Sequence, residues 1–118
     1  MTFRFLNFPV YKDSKIFYRD ILNTINHFPK EEKYNLTDQL RRAGLSIILN
    51  IAEGCDKGTD PDFNRYLMIA LGSLNEVVAG IDIAFEDKYI DGNNYKRLME
   101  QAEKLSKQLG GFSRKLKS

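Results

Sequence analysis

Apolar positions along the chain recur at intervals of three and four, the spacing of one face of an α-helix, and no stretch alternates as a strand would. Four segments follow from this pattern. The first covers residues 10–27, with Val10, Phe17, Ile21 and Phe28 in one stripe and Leu22 and Ile25 widening it. The second covers residues 36–53, stepping through Leu36, Leu40, Ala43, Ile47 and Ile51, with Asn35 or Thr37 as its cap and Gly54 as a left-handed residue just past its end. The third begins at Thr59 or Asp60, has Pro61 in its first turn, and runs to about residue 88. Its seam of Phe63, Leu67, Ala70, Leu74, Val77, Ile81 and Ala84 is the a/d pattern of a helix packed at a shallow angle. The fourth starts near Asp91 and carries Tyr95, Leu98, Ala102, Leu105, Leu109, Phe112 and Leu116, with a kink or fraying expected at Gly110-Gly111. Short loops between such helices predict an all-α, antiparallel up-down-up-down four-helix bundle forming a single domain over residues 1–118. Phe3, Phe5 and Phe8 precede the first helix and read as a short extended arm packed on the bundle or on a neighbour.

Two helices are apolar on more sides than one bundle buries. Leu45, Ile48 and Leu49 stand off the main seam of the second helix, and Ile69, Gly72, Ala79 and Ile83 off that of the third. A short single-domain chain has no second layer to cover them, so these seven residues are candidate contacts between copies. The second helix also carries a polar stripe, Gln39, Arg42, Ser46, Asn50 and Glu53. Antiparallel packing against the third helix would set Glu53 beside Arg65, and Gln39 and Arg42 beside Glu76. The seven form a buried polar stripe that fixes register and assembly.

These residues also carry a resemblance. Phe28-Pro29, Glu32, Tyr34 and Leu36 lead into Gln39-Leu40-Arg41-Arg42-Ala43, then Ser46-Ile47, Asn50-Ile51-Ala52-Glu53-Gly54, Phe63, Ile69-Ala70-Leu71-Gly72-Ser73-Leu74 and Glu76. The chain resembles the four-helix-bundle family encoded in intervening sequences of bacterial 23S rRNA genes, and departs from it at Ile48, where the family often has proline. The resemblance implies assembly into a ring, with a homopentamer the expected form. That family is similar to the accessory variability determinant (Avd) proteins of diversity-generating retroelements, ring-shaped pentamers that bind a reverse transcriptase and nucleic acid.

Composition adds exclusions. One His and one Cys among 118 residues build neither a structural zinc site nor an intrachain disulfide. His27 lacks the Glu three residues before it that a di-metal bundle site uses, and reads as a partial cap of the first helix. The lone Cys55 and the absence of a signal-like N-terminus or a long apolar run suit a cytoplasmic, non-membrane protein. No phosphate-cradling or nucleophile motif is present.

The formal charge is only +2. It divides unevenly, however, with net −4 over residues 59–90 and net +4 over residues 91–118. The candidate nucleic-acid contacts are therefore Lys96, Arg97, Lys104, Lys107, Arg114, Lys115 and Lys117 of the last helix, repeated around a ring. The expectation is a non-enzymatic homo-oligomeric adaptor for RNA, DNA or a nucleoprotein complex, without cofactor or metal. A protein–protein scaffold with no nucleic-acid contact is the alternative.

Overall fold

The computed structural model describes residues 2–118 as four helices: α1 (Pro9–Ile25), α2 (Leu36–Gly54), α3 (Asp60–Glu86) and α4 (Gly92–Lys117). Short 3-10 turns at Arg4–Asn7 and Lys30–Glu32 precede α1 and α2. No strand occurs among the described residues. Each helix packs on two others in the cyclic order α1, α2, α3, α4, giving a bundle of 43 × 23 × 21 Å. Neighbours are antiparallel: Gly54 near the end of α2 meets Tyr66 near the start of α3, while Leu40 near the start of α2 meets Gly80 late in α3.

Local chemistry sets the helix ends. Thr59 caps α3 by accepting from the Asp62 N–H at 3.3 Å, and Asp91 caps α4 by accepting from the Asn94 N–H at 2.7 Å. Asn35 is the residue before α2, but its side-chain amide donates to Glu32 at 3.1 Å and leaves the helix start uncapped. The end of α3 closes as a Schellman motif. The Tyr89 N–H reaches the Ala84 carbonyl at 2.8 Å and the Lys88 N–H reaches Phe85 at 3.0 Å. Lys88 takes the left-handed conformation that this closure needs, with φ of 65°.

The apolar seams read from the sequence meet in one core. Phe17, Ile21, Leu40, Ile47, Ile51, Leu67, Leu74, Ile81, Leu98, Leu105 and Leu109 are almost wholly buried there. Helix α3 contains an 18-residue window of mean hydropathy 1.6, so by length and apolarity it reaches the threshold of a membrane span. In the bundle it is buried every third or fourth residue against α2 and α4.

Three local expectations change. Gly54 lies within α2, at its last turn, and not in a left-handed position beyond it. A Cβ added there would lie 2.5 Å from the Tyr66 Cβ, so this glycine serves the close approach of α3. The N-terminal arm is not extended. It winds into a 3-10 turn, with Arg4 Nη2 donating to the Cys55 carbonyl at 3.2 Å and the Phe5 ring 5.1 Å from Tyr11. Helix α4 runs unbroken through Gly110 and Gly111 to Lys117.

Candidate functional site

The outer side of the α2–α3 pair gathers most of the candidate contact residues. Arg65, Ile69, Gly72, Glu76, Ala79 and Ile83 step by four and three along α3, forming a second line beside the core seam, and all are exposed. Leu45 and Leu49 stand exposed on α2, with Leu49 at 54% and Ile83 at 49%. Gly72 has no atom within 4 Å of where a Cβ would stand, so its smallness serves nothing inside the chain. Ile48 departs from the expected set. It is buried within the chain at 6% exposure, one turn past Gly44 on the edge of α2 that faces Tyr18 of α1, and it is not part of this face.

The polar stripe divides. Gln39 donates its amide to Glu76 across the α2–α3 pair. Ser46 and Ser73 hydroxyls lie 2.8 Å apart, and Asn50 donates to the Ser46 carbonyl at 2.8 Å and its hydroxyl at 3.0 Å. The remaining expected partners do not meet. The side chain of Arg42 is 76% exposed and pairs with Asp38 at 3.1 Å, one turn back on its own helix. Glu53, 56% exposed, pairs with Lys57 at 3.5 Å, and Arg65 lies 4.8 Å over the Tyr66 ring. The stripe is therefore not buried as expected: Ser46, Asn50 and Ser73 are half-buried and hydrogen-bonded, the Gln39–Glu76 pair is exposed, and Arg42, Glu53 and Arg65 stand on the surface, because a single bundle leaves the outer faces of α2 and α3 to solvent.

The basic residues of α4 also divide. Arg97 pairs with Asp20 of α1 at 2.9 Å and Lys104 with Asp13 of α1 at 3.4 Å. The same carboxylates accept from Gln101 at 2.7 Å and Gln108 at 2.9 Å. This ladder repeats every seven residues on both helices and turns part of the basic stripe toward α1. Sequence reasoning missed it, although the spacings Asp13/Asp20, Arg97/Lys104 and Gln101/Gln108 are visible in the chain. Lys107 pairs only with exposed Glu103 at 3.7 Å. Lys96, Arg114, Lys115 and Lys117 have no carboxylate partner among the described residues. The unpaired charge is therefore densest at the end of α4. His27 Nδ1 stands 3.0 Å from the Asn23 carbonyl, the capping position expected of it.

Comparison with known proteins bears on this bundle directly. The profile of 23S rRNA-intervening sequence proteins matches residues 7–111, which takes in all of α1, α2 and α3 and most of α4. The chain belongs to this family. A crystal structure from Bacteroides thetaiotaomicron, of a protein with unknown function from the S23 ribosomal protein family, superimposes with a TM-score of 0.78 at 28% sequence identity. The match covers 85% of this chain and 94% of that one. No curated protein matches the chain. Family membership thus accounts for the four-helix architecture and for the stretches around Gln39–Ala43 and Asn50–Gly54, both of which lie within the matched region.

Proposed function

We propose that the protein is a non-enzymatic, cytoplasmic homo-oligomer, pentameric by family expectation, that serves as an adaptor for RNA or a nucleoprotein complex. The observation that carries this reading is the exposed line of Ile69, Gly72, Ala79 and Ile83 on α3 beside Leu45 and Leu49 on α2. Apolar side chains exposed together with Arg42, Glu53 and Arg65 on the outer sides of two neighbouring helices have the make-up of a protein interface with a polar rim. Repetition around a ring would multiply the unpaired cations at the end of α4, and many weak phosphate contacts then act together. A reverse transcriptase is one partner that such a ring could hold, as in the Avd proteins that this family resembles.

Two measurements test the proposal. Light scattering coupled to size exclusion should give a mass several times 13.7 kDa, and a mass of 13.7 kDa would end the assembly reading. Binding of single-stranded RNA should weaken steeply with salt, because phosphate contacts release counterions. Oligomer without RNA binding at low salt would favour the protein scaffold instead.

A further inference from the structure

A glycine inside a helix costs roughly 1 kcal/mol relative to alanine. Packing does not require Gly111. A Cβ there would meet nothing nearer than Arg114 Nη2 at 3.8 Å. What its missing side chain does is open a notch. Beside it, Phe8 and Pro9 from the start of α1 and Phe112 from α4 line an apolar cavity of about 430 Å³, open to solvent on one side. Lys107, Gly111 and Lys115 stand four residues apart along one line of α4, so an ammonium flanks the notch on each side, and both lysines line the cavity. Among the described residues Lys115 has no carboxylate partner and Lys107 pairs with exposed Glu103 alone, at 3.7 Å.

We propose that the Gly111 notch between α1 and α4 binds an extended acidic segment of a partner protein. The segment would insert one bulky apolar side chain between Lys107 and Lys115. Charge complementarity selects carboxylates for the two rims, and the helix sets their spacing. Eight residues of helix separate the two lysines by about 12 Å. In an extended chain, residues two before and two after a central side chain lie on its own face, about 13 Å apart. The pattern acidic–x–apolar–x–acidic therefore places both carboxylates over the ammonium groups while the central side chain fills the notch. The apolar floor favours such a segment over a nucleic-acid strand, whose phosphates would meet the lysines and leave the cavity unfilled. The site does not depend on oligomerisation or on RNA binding.

The test uses the full chain and a dye-labelled peptide of sequence Ser-Glu-Ser-Phe-Ser-Glu-Ser, read by fluorescence anisotropy at low salt. Saturable binding is expected. It should weaken at least tenfold when the peptide Phe is replaced by Ser, and at least tenfold in Gly111→Leu, which fills the notch and favours the helix. Circular dichroism should show full helicity for that variant. If it does not, Lys115→Glu on the exposed helix surface carries the test and should weaken binding by a similar factor. Equal affinity for wild type and Gly111→Leu, equal affinity for the peptide lacking Phe, or no peptide binding would overturn the proposal. So would single-stranded RNA that binds in place of the peptide and loses its affinity in Gly111→Leu.

Discussion

At Gly54 and Gly80 the absence of a side chain decides how near two helices come. A Cβ at Gly54 would fall 2.5 Å from Tyr66 Cβ and 3.1 Å from the Phe63 ring, and one at Gly80 would run into Leu40 Cδ2. Leu40 is buried at the core and has little room to yield. Gly54→Ala and Gly80→Ala should each destabilise the fold by about 1–3 kcal/mol, the cost of overpacking, seen as a lower urea midpoint at unchanged m-value. Lys88 presents the opposite case: an L-residue held at φ of 65° by the Schellman closure of α3. Lys88→Gly should raise stability by about 0.5–1 kcal/mol, read from the same midpoint, since glycine enters the left-handed region without a Cβ penalty. Thr59, one of two cap candidates for α3, and the start of α4 near Asp91 were legible in the sequence because such signals depend on residues within one turn. Gly54 was misread because its position suggested a cap, while its actual constraint is a ring on another helix that no local pattern reveals.

Within the elements, α4 shows what periodicity gives and what it leaves open. Its core face was plain from Leu98, Ala102, Leu105 and Leu109, all buried. The break expected at Gly110-Gly111 does not occur, because Leu109 and Ser113 on either side are buried and hold the turn in place. An added Cβ at Gly110 would meet only Arg114 Nη1, at 3.5 Å. Gly110→Ala should therefore stabilise the helix by about 1 kcal/mol and raise the melting temperature by a few degrees. Two tyrosines tie elements together near the opposite end. Tyr89 Oη donates to Glu32 at 3.1 Å, linking the α3–α4 turn to the α1–α2 connection, and Tyr95 Oη donates to Asp82 at 3.1 Å, linking α4 to α3. These hydrogen bonds, with burial and the neighbouring negative charges, push both phenols above their usual value of 10.0. The folded chain thus holds these protons more tightly than the unfolded one. Their contribution to stability is complete below about pH 10 and falls as pH rises beyond it. Urea midpoints measured between about pH 9 and about pH 11 should fall less steeply for a Tyr89→Phe/Tyr95→Phe variant than for wild type.

For the whole molecule, the sequence suggested more apolar surface than one bundle covers, and Leu45 and Leu49 of α2 and Ile69 and Ile83 of α3 are indeed exposed on the outer sides of those helices. Ile48 was misplaced because α2 is apolar over so wide an arc that spacing alone does not separate its core edge from its outer edge. Ile69→Asp or Ile83→Asp should reduce the assembly to the 13.7 kDa chain while leaving helical content intact, as light scattering and circular dichroism will show. The basic face was half legible. Composition found the cations, but only the fold shows Arg97 and Lys104 turned to α1 carboxylates. Removing Arg114, Lys115 and Lys117 together should lower the slope of log affinity for single-stranded RNA against log salt by about 2.

The two sides of the bundle are fastened by different means. Glycines and small hydroxyls bring α2 and α3 together at Gly54, Gly80 and the Ser46–Ser73 contact, whereas α1 meets α4 through the carboxylate ladder at Asp13 and Asp20. The closer-packed pair is expected to come apart only with the fold as a whole, and the pair bridged by ion pairs at smaller cost. Amide protons of α2 and α3 should therefore exchange with solvent deuterium only through global unfolding, and those of α1 and α4 earlier. On that expectation α1 and α4 make the looser side of the bundle, and a partner seated there would be felt first as a slowing of its exchange.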